Sequence, residues 1–252
     1  MAESTSNSSS TVFLYRFIKD PNLFCTSPFV NKIEALMVFS GIKDLQFRAG
    51  NPLQAPRRML PFIELNGQQI PDSELIYETL IERGIVQCLD EKAGLDDRER
   101  AISTSIRSFV ERELYELIVY ERWIVNYQQT KEAFLVDVPA FLRSPVAYFF
   151  VWRPNTQRFW LSGLSRLTDQ ERARDTKRFV VSVSTLVPQK GYIMGKSEPT
   201  RVDATIWGFL TGVYRAPQLC PKIAAEVHSY PHLAEYHRLL SLKFWPERKP
   251  IV

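Results

Sequence analysis

Hydrophobic and polar positions follow two rhythms along this chain, and the change comes near Gly94. Before it, short apolar runs alternate with turn residues. "TVFLYRFI" (11–18) is rich in β-branched and aromatic residues, the pattern of a buried strand. After the loop "KDPNLFCTSP", residues Phe29, Ile33, Leu36 and Met37 fall on one helical face, and Gly41 stands just past the expected helix end. "LQF" suggests a short strand, followed by the Pro-rich loop "NPLQAPRR". "PFIEL" and "QQI" flank Asn66-Gly67, a dipeptide that tolerates the positive φ angles of a tight hairpin. "SELIYETLIERG" reads as a helix ending at or just beyond Gly84.

Beyond Gly94 no strand pattern recurs. Ile102, Ile106, Phe109, Val110 and Leu117 give a long amphipathic helix. "VPAFLRSPVAYFFVW" is apolar but interrupted by prolines, so one or two short helices are expected there. Further helices are expected over 168–188, over "PTRVDATIWGFLTGVY", and over "PHLAEYHRLLSLKF" with Pro231 in its first turn. The predicted fold class is α+β followed by all-α. A β-α-β, β-β-α domain spans 11–90 and an all-helical domain spans 95–246.

Composition narrows the function classes. Basic residues are mostly interleaved with acids, as on solvated helix faces, and no nucleic-acid-binding motif accompanies them. Three widely spaced cysteines argue for a reducing compartment rather than a disulfide framework. The opening "MAESTSNSSS" is polar and Ser-rich, lacks the layout of a secretory signal, and is expected to be a disordered tail over 1–10. No apolar run approaches the length of a membrane-spanning helix, so the expected location is cytoplasmic, with no membrane partner. His228 and His232 are four apart, but Pro231 starts a helix between them, and no metal is expected.

Three polar features suggest chemistry. Pro61, at the mouth of a strand, cannot donate to a sheet ladder, so it is either an edge proline or a cis-proline turn. A cis bend turns the backbone groups of Leu60 outward, where an extended peptide can pair with them as an added strand. Asp72-Ser73, ending twelve residues after Pro61, opens a helix. Both residues are good caps, but free N–H groups there also suit a carboxylate, and Asp72 suits an ammonium beside it. Ser27-Pro28 opens the first helix, either as a plain N-cap or as a place where a thiol ionises readily and Ser27 donates to it.

These pieces together resemble the glutathione transferase superfamily. The resemblance covers nearly the whole chain and is carried by "SPFVNKIEALMVFSGI", "LPFIELNGQQIPDSE" and "PTRVDATIWGFL", the last with a capping box from Thr200 to Asp203. Within the superfamily the chain is most similar to the branch containing the failed-axon-connections and metaxin proteins. That branch often has Cys where Val30 stands, and Cys25 forms no CxxC motif with any neighbour. The resemblance implies a thioredoxin-like first domain that binds glutathione as co-substrate or cofactor. It implies that Ser27 stabilises the glutathione thiolate and that Leu60, before Pro61, pairs with its cysteinyl backbone. Asp72 and Ser73 would hold its γ-glutamyl head. Charge and proximity add Arg57 or Arg58 for its glycine carboxylate. Tyr15 is the rival thiol activator, and Cys25 is a further candidate for sharing the Ser27 role.

The helical domain would supply an apolar pocket for the second substrate, with Tyr115, Tyr120 and Trp123 as its candidate lining; Tyr127, Trp152 and Trp160 are further aromatic candidates. The implied activity is glutathione attack on a small apolar electrophile. It ends either in conjugation or in reversible addition that isomerises a cis/trans double bond, as in fungal secondary-metabolite tailoring enzymes of the pseurotin-pathway type. The implied assembly is a homodimer. The alternative is a non-catalytic interaction module on the same fold.

Overall fold

The computed structural model describes residues 11–18, 20–42, 44–136 and 138–252. The tail expected over 1–10 lies outside the described residues. The first strand, β1 (Val12–Arg16), leads through a loop into α1 (Pro28–Phe39), which returns the chain to β2 (Leu45–Ala49), paired parallel to β1. A parallel pair needs such a crossover, and α1 supplies it. β3 (Phe62–Leu65) and β4 (Gln68–Pro71) form a hairpin whose turn residues Asn66 and Gly67 both take positive φ, 51° and 78°. The strand order is β2-β1-β3-β4. Buried Val12 and Leu14 alternate with half-buried Phe13 and Tyr15, so the sheet has one covered face and one partly open face. Helix α2 (Ser73–Glu82) follows β4, and Gly84 at φ 66° ends the run as expected.

The rest of the described chain is helical. After the short α3 (Leu89–Lys92), α4 (Asp97–Ser108) and α5 (Tyr115–Tyr120) are joined by a π-helical turn, Phe109–Leu114. A second π turn, Glu121–Val125, precedes α6 (Tyr127–Phe134). Ile102 departs from the expected buried face: it is 43% exposed, while Ser103, Ile106 and Val110 turn inward. Helices α7 (Ala140–Ala147) and α8 (Arg153–Ser162) are joined without a break by a third π turn, Tyr148–Trp152. The prolines therefore do not split this segment. Pro139 stands at the N-cap, and Pro145 lies within the second turn of α7, so neither interrupts the run from 140 to 162.

Helix α9 (Asp169–Leu186) leads to α10 (Arg201–Arg215), the centre of the core, buried from Val202 to Tyr214. Its start is the expected capping box: the Thr200 N–H and hydroxyl each donate to Asp203 at 2.7 Å. Asp203 also accepts from the Tyr236 hydroxyl at 2.6 Å and the Ile193 N–H at 2.9 Å, so one buried carboxylate gathers three segments. Helices α11 (Pro221–His228) and α12 (Pro231–Phe244) complete the described chain's secondary structure. α10 packs on α1 at Gly208 and Gly212. A Cβ at Gly208 would fall 2.6 Å from the Lys32 backbone nitrogen, so only glycine permits this approach there, while one at Gly212 would press on the Pro28 ring at 3.0 Å.

Candidate functional site

The strand register brings the predicted contacts to one end of the sheet. Tyr15 near the end of β1 pairs with Phe62 at the start of β3, and Phe62 pairs with Pro71 at the end of β4. Leu60-Pro61, just before β3, and Asp72-Ser73, just after β4, therefore flank the same edge, and the loop leading to Ser27 leaves from it. The Leu60-Pro61 peptide bond is cis. Neither the N–H nor the C=O of Leu60 makes a hydrogen bond among the described residues.

Ser27 is held by its backbone, and its hydroxyl makes no hydrogen bond among the described residues. Its carbonyl accepts from the Asn31 N–H, and it takes the extended conformation of an N-cap (φ −85°, ψ 119°) without a side-chain capping bond. The approach to it is braced twice. Asn31 accepts from the Cys25 N–H at 3.0 Å and donates to the Cys25 carbonyl at 2.8 Å. From the helical half, Arg122 donates to the carbonyls of Thr26 (2.9 Å) and Gly212 (2.7 Å).

Asp72 does cap its helix. Its Oδ1 accepts from the N–H groups of Glu74 (3.0 Å) and Leu75 (3.3 Å). Its φ of 69° leaves the carboxylate exposed beside the buried Ser73 at the first helical position. Capping and ligand contact are compatible here, because capping engages one of the two oxygens.

The next residue belongs to a network that the sequence reading missed. Glu74 pairs with Lys32 of α1, Arg107 of α4 and Arg201 of α10. Lys32, fully buried, also pairs with Glu111 at 2.7 Å, and Glu111 accepts from Thr205. Burial opposes ionisation of Glu74, but Lys32, Arg201 and Arg107 outweigh it and hold the carboxyl down at about 2. The network pins the N-terminus of α2, and with it Ser73, to three helices. A signal was present: Asn31, Lys32 and Glu34 are polar residues in the middle of an otherwise apolar helix, and all three are fully buried.

The rival activators are otherwise engaged. The Tyr15 hydroxyl donates to Glu64 at 2.8 Å and accepts from Arg48 at 3.0 Å, and its ring stacks on Phe62 at 4.1 Å. Cys25 is wholly buried, and burial pushes its thiol up. Arg57 and Arg58 are both exposed on the turn before Leu60, without an ion pair among the described residues; Arg58 has a φ of 54°.

The three predicted pocket aromatics do not share a face. Tyr115 and Tyr120 are five apart on the regular helix α5 and so point to different sides, and Trp123 lies within the second π turn, where the helical repeat is widened. Half-buried Tyr115 and Phe29 (4.8 Å apart) join the buried Phe209 (6.2 Å from Tyr115) in a cluster at the α1–α10 seam, close in sequence to Ser27 through Phe29. Trp123 meets Phe134 at 5.5 Å, which meets Phe17 of the β1–α1 loop at 5.6 Å. Tyr120 departs from the expected lining: it borders a separate cavity of about 180 Å³ within the helical half, with Leu117, Val125, Arg172, Lys222 and Ile223, and no residue of 11–90 lines it. Of the other aromatics, Tyr127 is half-buried, Trp152 stacks on Tyr148, and Trp160 is 60% exposed.

Among the described residues no cluster of His, Cys, Asp and Glu has the makings of a metal site. His228 lies at the end of α11 and His232 contacts Ser184, while His237 meets Thr211. Burial lowers the His237 pKa to about 3, so its ring is neutral.

Comparison with known proteins adds the following. The chain matches the descriptions "Glutathione S-transferase N-terminal domain" over residues 28–130 and "Glutathione S-transferase, C-terminal domain" over residues 177–239. It is 25% identical over 215 residues to Failed axon connections of Drosophila melanogaster, covering 81% of this chain and 50% of that protein. It is 21% identical over 204 residues to a Metaxin-1 homolog of Caenorhabditis briggsae, covering 79% of this chain and 63% of that protein. The chain thus spans from half to under two thirds of these relatives' lengths. Among solved structures, beta-etherase LigF from Sphingobium sp. strain SYK-6 superposes with a TM-score of 0.53 at 15% identity, covering 90% of this chain and 98% of that one. Glutathione transferase Omega 3C from Trametes versicolor gives 0.53 at 16% identity, covering 91% and 80%. At these identities the structural likeness establishes the fold.

Proposed function

Because the chain belongs to the glutathione S-transferase family, we propose that it uses glutathione as a substrate, activating its thiol for attack on a small apolar electrophile. The observation that carries this reading is the juxtaposition at one sheet edge of three groups without hydrogen-bond partners among the described residues: the Leu60 backbone, the Ser27 hydroxyl, and the N–H and hydroxyl of Ser73. They fit an extended tripeptide. Leu60 pairs with its middle residue, and the N–H and hydroxyl of Ser73 take its terminal carboxylate beside Asp72. Ser27, at the positive end of α1, donates to the thiolate and lowers its pKa. Arg58 is the reserve contact for the far carboxylate. Tyr115 and Trp123, rather than Tyr120, flank the electrophile.

The thiolate adds to an electrophilic carbon. A lasting adduct is conjugation. Addition to a conjugated alkene, rotation about the resulting single bond and departure of the same thiolate give cis/trans isomerisation without consuming glutathione. The working unit is a homodimer. Ser27→Ala is expected to lower kcat with a model electrophile by about tenfold to a hundredfold, while calorimetry shows glutathione affinity changed far less. An unchanged rate would remove Ser27 from the role.

A second reading, a non-catalytic interaction module, is favoured by the relatives, by Val30 in place of a thiol and by the engagement of Tyr15. Absence of glutathione binding at millimolar concentration by calorimetry decides for it.

A further inference from the structure

The helix from 140 to 162 has its polarity reversed with respect to solvent. Its inner face is secured: Phe159 is buried against Tyr120 at 5.3 Å, and Arg158 pairs with Glu116. Its outer face is apolar. Phe141 is 80% exposed, Leu161 73%, Trp160 60%, Phe149 58%, Phe150 57% and Tyr148 45%. Exposed apolar side chains occurring singly are ordinary, but this many on one helix mark an interaction surface.

Charge identifies the occupant. Between Val138 and Thr168 the chain has four arginines, Arg143, Arg153, Arg158 and Arg166, and no acidic residue. The whole chain has 32 basic and 28 acidic residues, so these four equal its entire excess of positive charge. Arg143 pairs with Glu132 and Arg158 with Glu116, whereas Arg153 and Arg166 have no acidic partner among the described residues. Arg166 lies over the Trp160 ring at 5.7 Å. Exposed aromatic rings on a helix free of acidic residues, with Arg153 on it and Arg166 just past its end both unpaired, have the make-up of a segment that lies in a membrane interface.

We propose that the outer face of helix 140–162 docks on the surface of an anionic lipid bilayer, with the helix lying in the interface plane and the arginines on lipid headgroups. The expectation of no membrane partner concerned spanning segments. Among the described residues no helix is long and apolar enough to cross a membrane, and interfacial docking requires none. The proposal is independent of the glutathione reading.

The test is sedimentation of the full chain with vesicles of phosphatidylcholine, alone or mixed with phosphatidylserine. The expected result is binding to the mixed vesicles only, released by salt, with a Phe149→Ser/Phe150→Ser variant weakened about tenfold or more. That variant should retain the far-UV circular dichroism of the parent. Binding should also blue-shift the tryptophan fluorescence, and Trp160→Phe should reduce that shift. No binding by the parent chain, equal binding to both vesicle types, or undiminished binding by the double variant each overturns the proposal. If the parent fails to bind and the double variant changes from dimer to monomer by light scattering, the face belongs to a second copy.

Discussion

The α1–α10 seam and helix 140–162 treat polarity in opposite ways. At the seam, Lys32, Glu74, Arg107, Glu111 and Arg201 bring charge between helices, and Lys32 is fully buried. Along the outer helix, aromatic rings face solvent. Each departure is local and has a distinct logic. Apolar contact alone would leave the seam free to slide, whereas a multidentate ion network has one geometry, and that geometry fixes where α2 begins. The outer helix positions nothing inside the molecule on that face, so its composition answers to something outside.

The contrast can be broken most sharply at Lys32. Lys32→Met leaves Glu111 and Glu74 facing each other at the seam without their shared cation. It is expected to destabilise the fold by about 3 kcal/mol, the usual consequence of removing one partner from a buried pair. Urea denaturation measures it, and a loss below 1 kcal/mol would mean that the network behaves like a surface ion pair.

Acid should separate two buried groups. His237 is neutral in the native state because its pKa falls from 6.5 to about 3, so its contribution to stability is full above pH 6.5 and declines as pH falls toward 3. Glu74 is depressed from 4.5 to about 2, so its contribution persists to about pH 4.5 and is lost between there and pH 2. His237→Phe should flatten the upper part of the stability profile and Glu74→Gln the lower part. Urea midpoints taken stepwise through acid give both. Interchanged windows would refute the assignments.

The smallest effect is expected on the outer helix. Phe141→Ser or Leu161→Ser should change stability by no more than about 0.5 kcal/mol, because each side chain is largely solvated already. A larger loss in thermal melts would show that the face is covered in the free protein.

Much of the fold was legible in the sequence because its signals are local. Asn66-Gly67 announced the hairpin, Gly41 and Gly84 the helix ends, and Thr200 with Asp203 the start of the central helix. The positions proposed to contact glutathione, Leu60, Asp72 and Ser27, stand out for a related reason: each sits at the end of an element. The ion network was not, since Glu74 and Arg201 are 127 residues apart and nothing local pairs them. Nor were the aromatic partners of the long helix, because a π turn at Glu121–Val125 widens the repeat between Tyr120 and Trp123 and carries no local sequence signal.

Gly208 and Gly212 bear on any redesign of this chain. They let α1 approach α10 so closely that added carbon atoms would meet Lys32 at one level and Pro28 at the other. Pro28 is the neighbour of Ser27. The separation between the two halves of the molecule is thus set by two methyl groups the chain does not have. An engineer altering α10 can exchange large side chains, but a methyl at Gly208 would press on the α1 backbone and one at Gly212 on Pro28, the residue after Ser27.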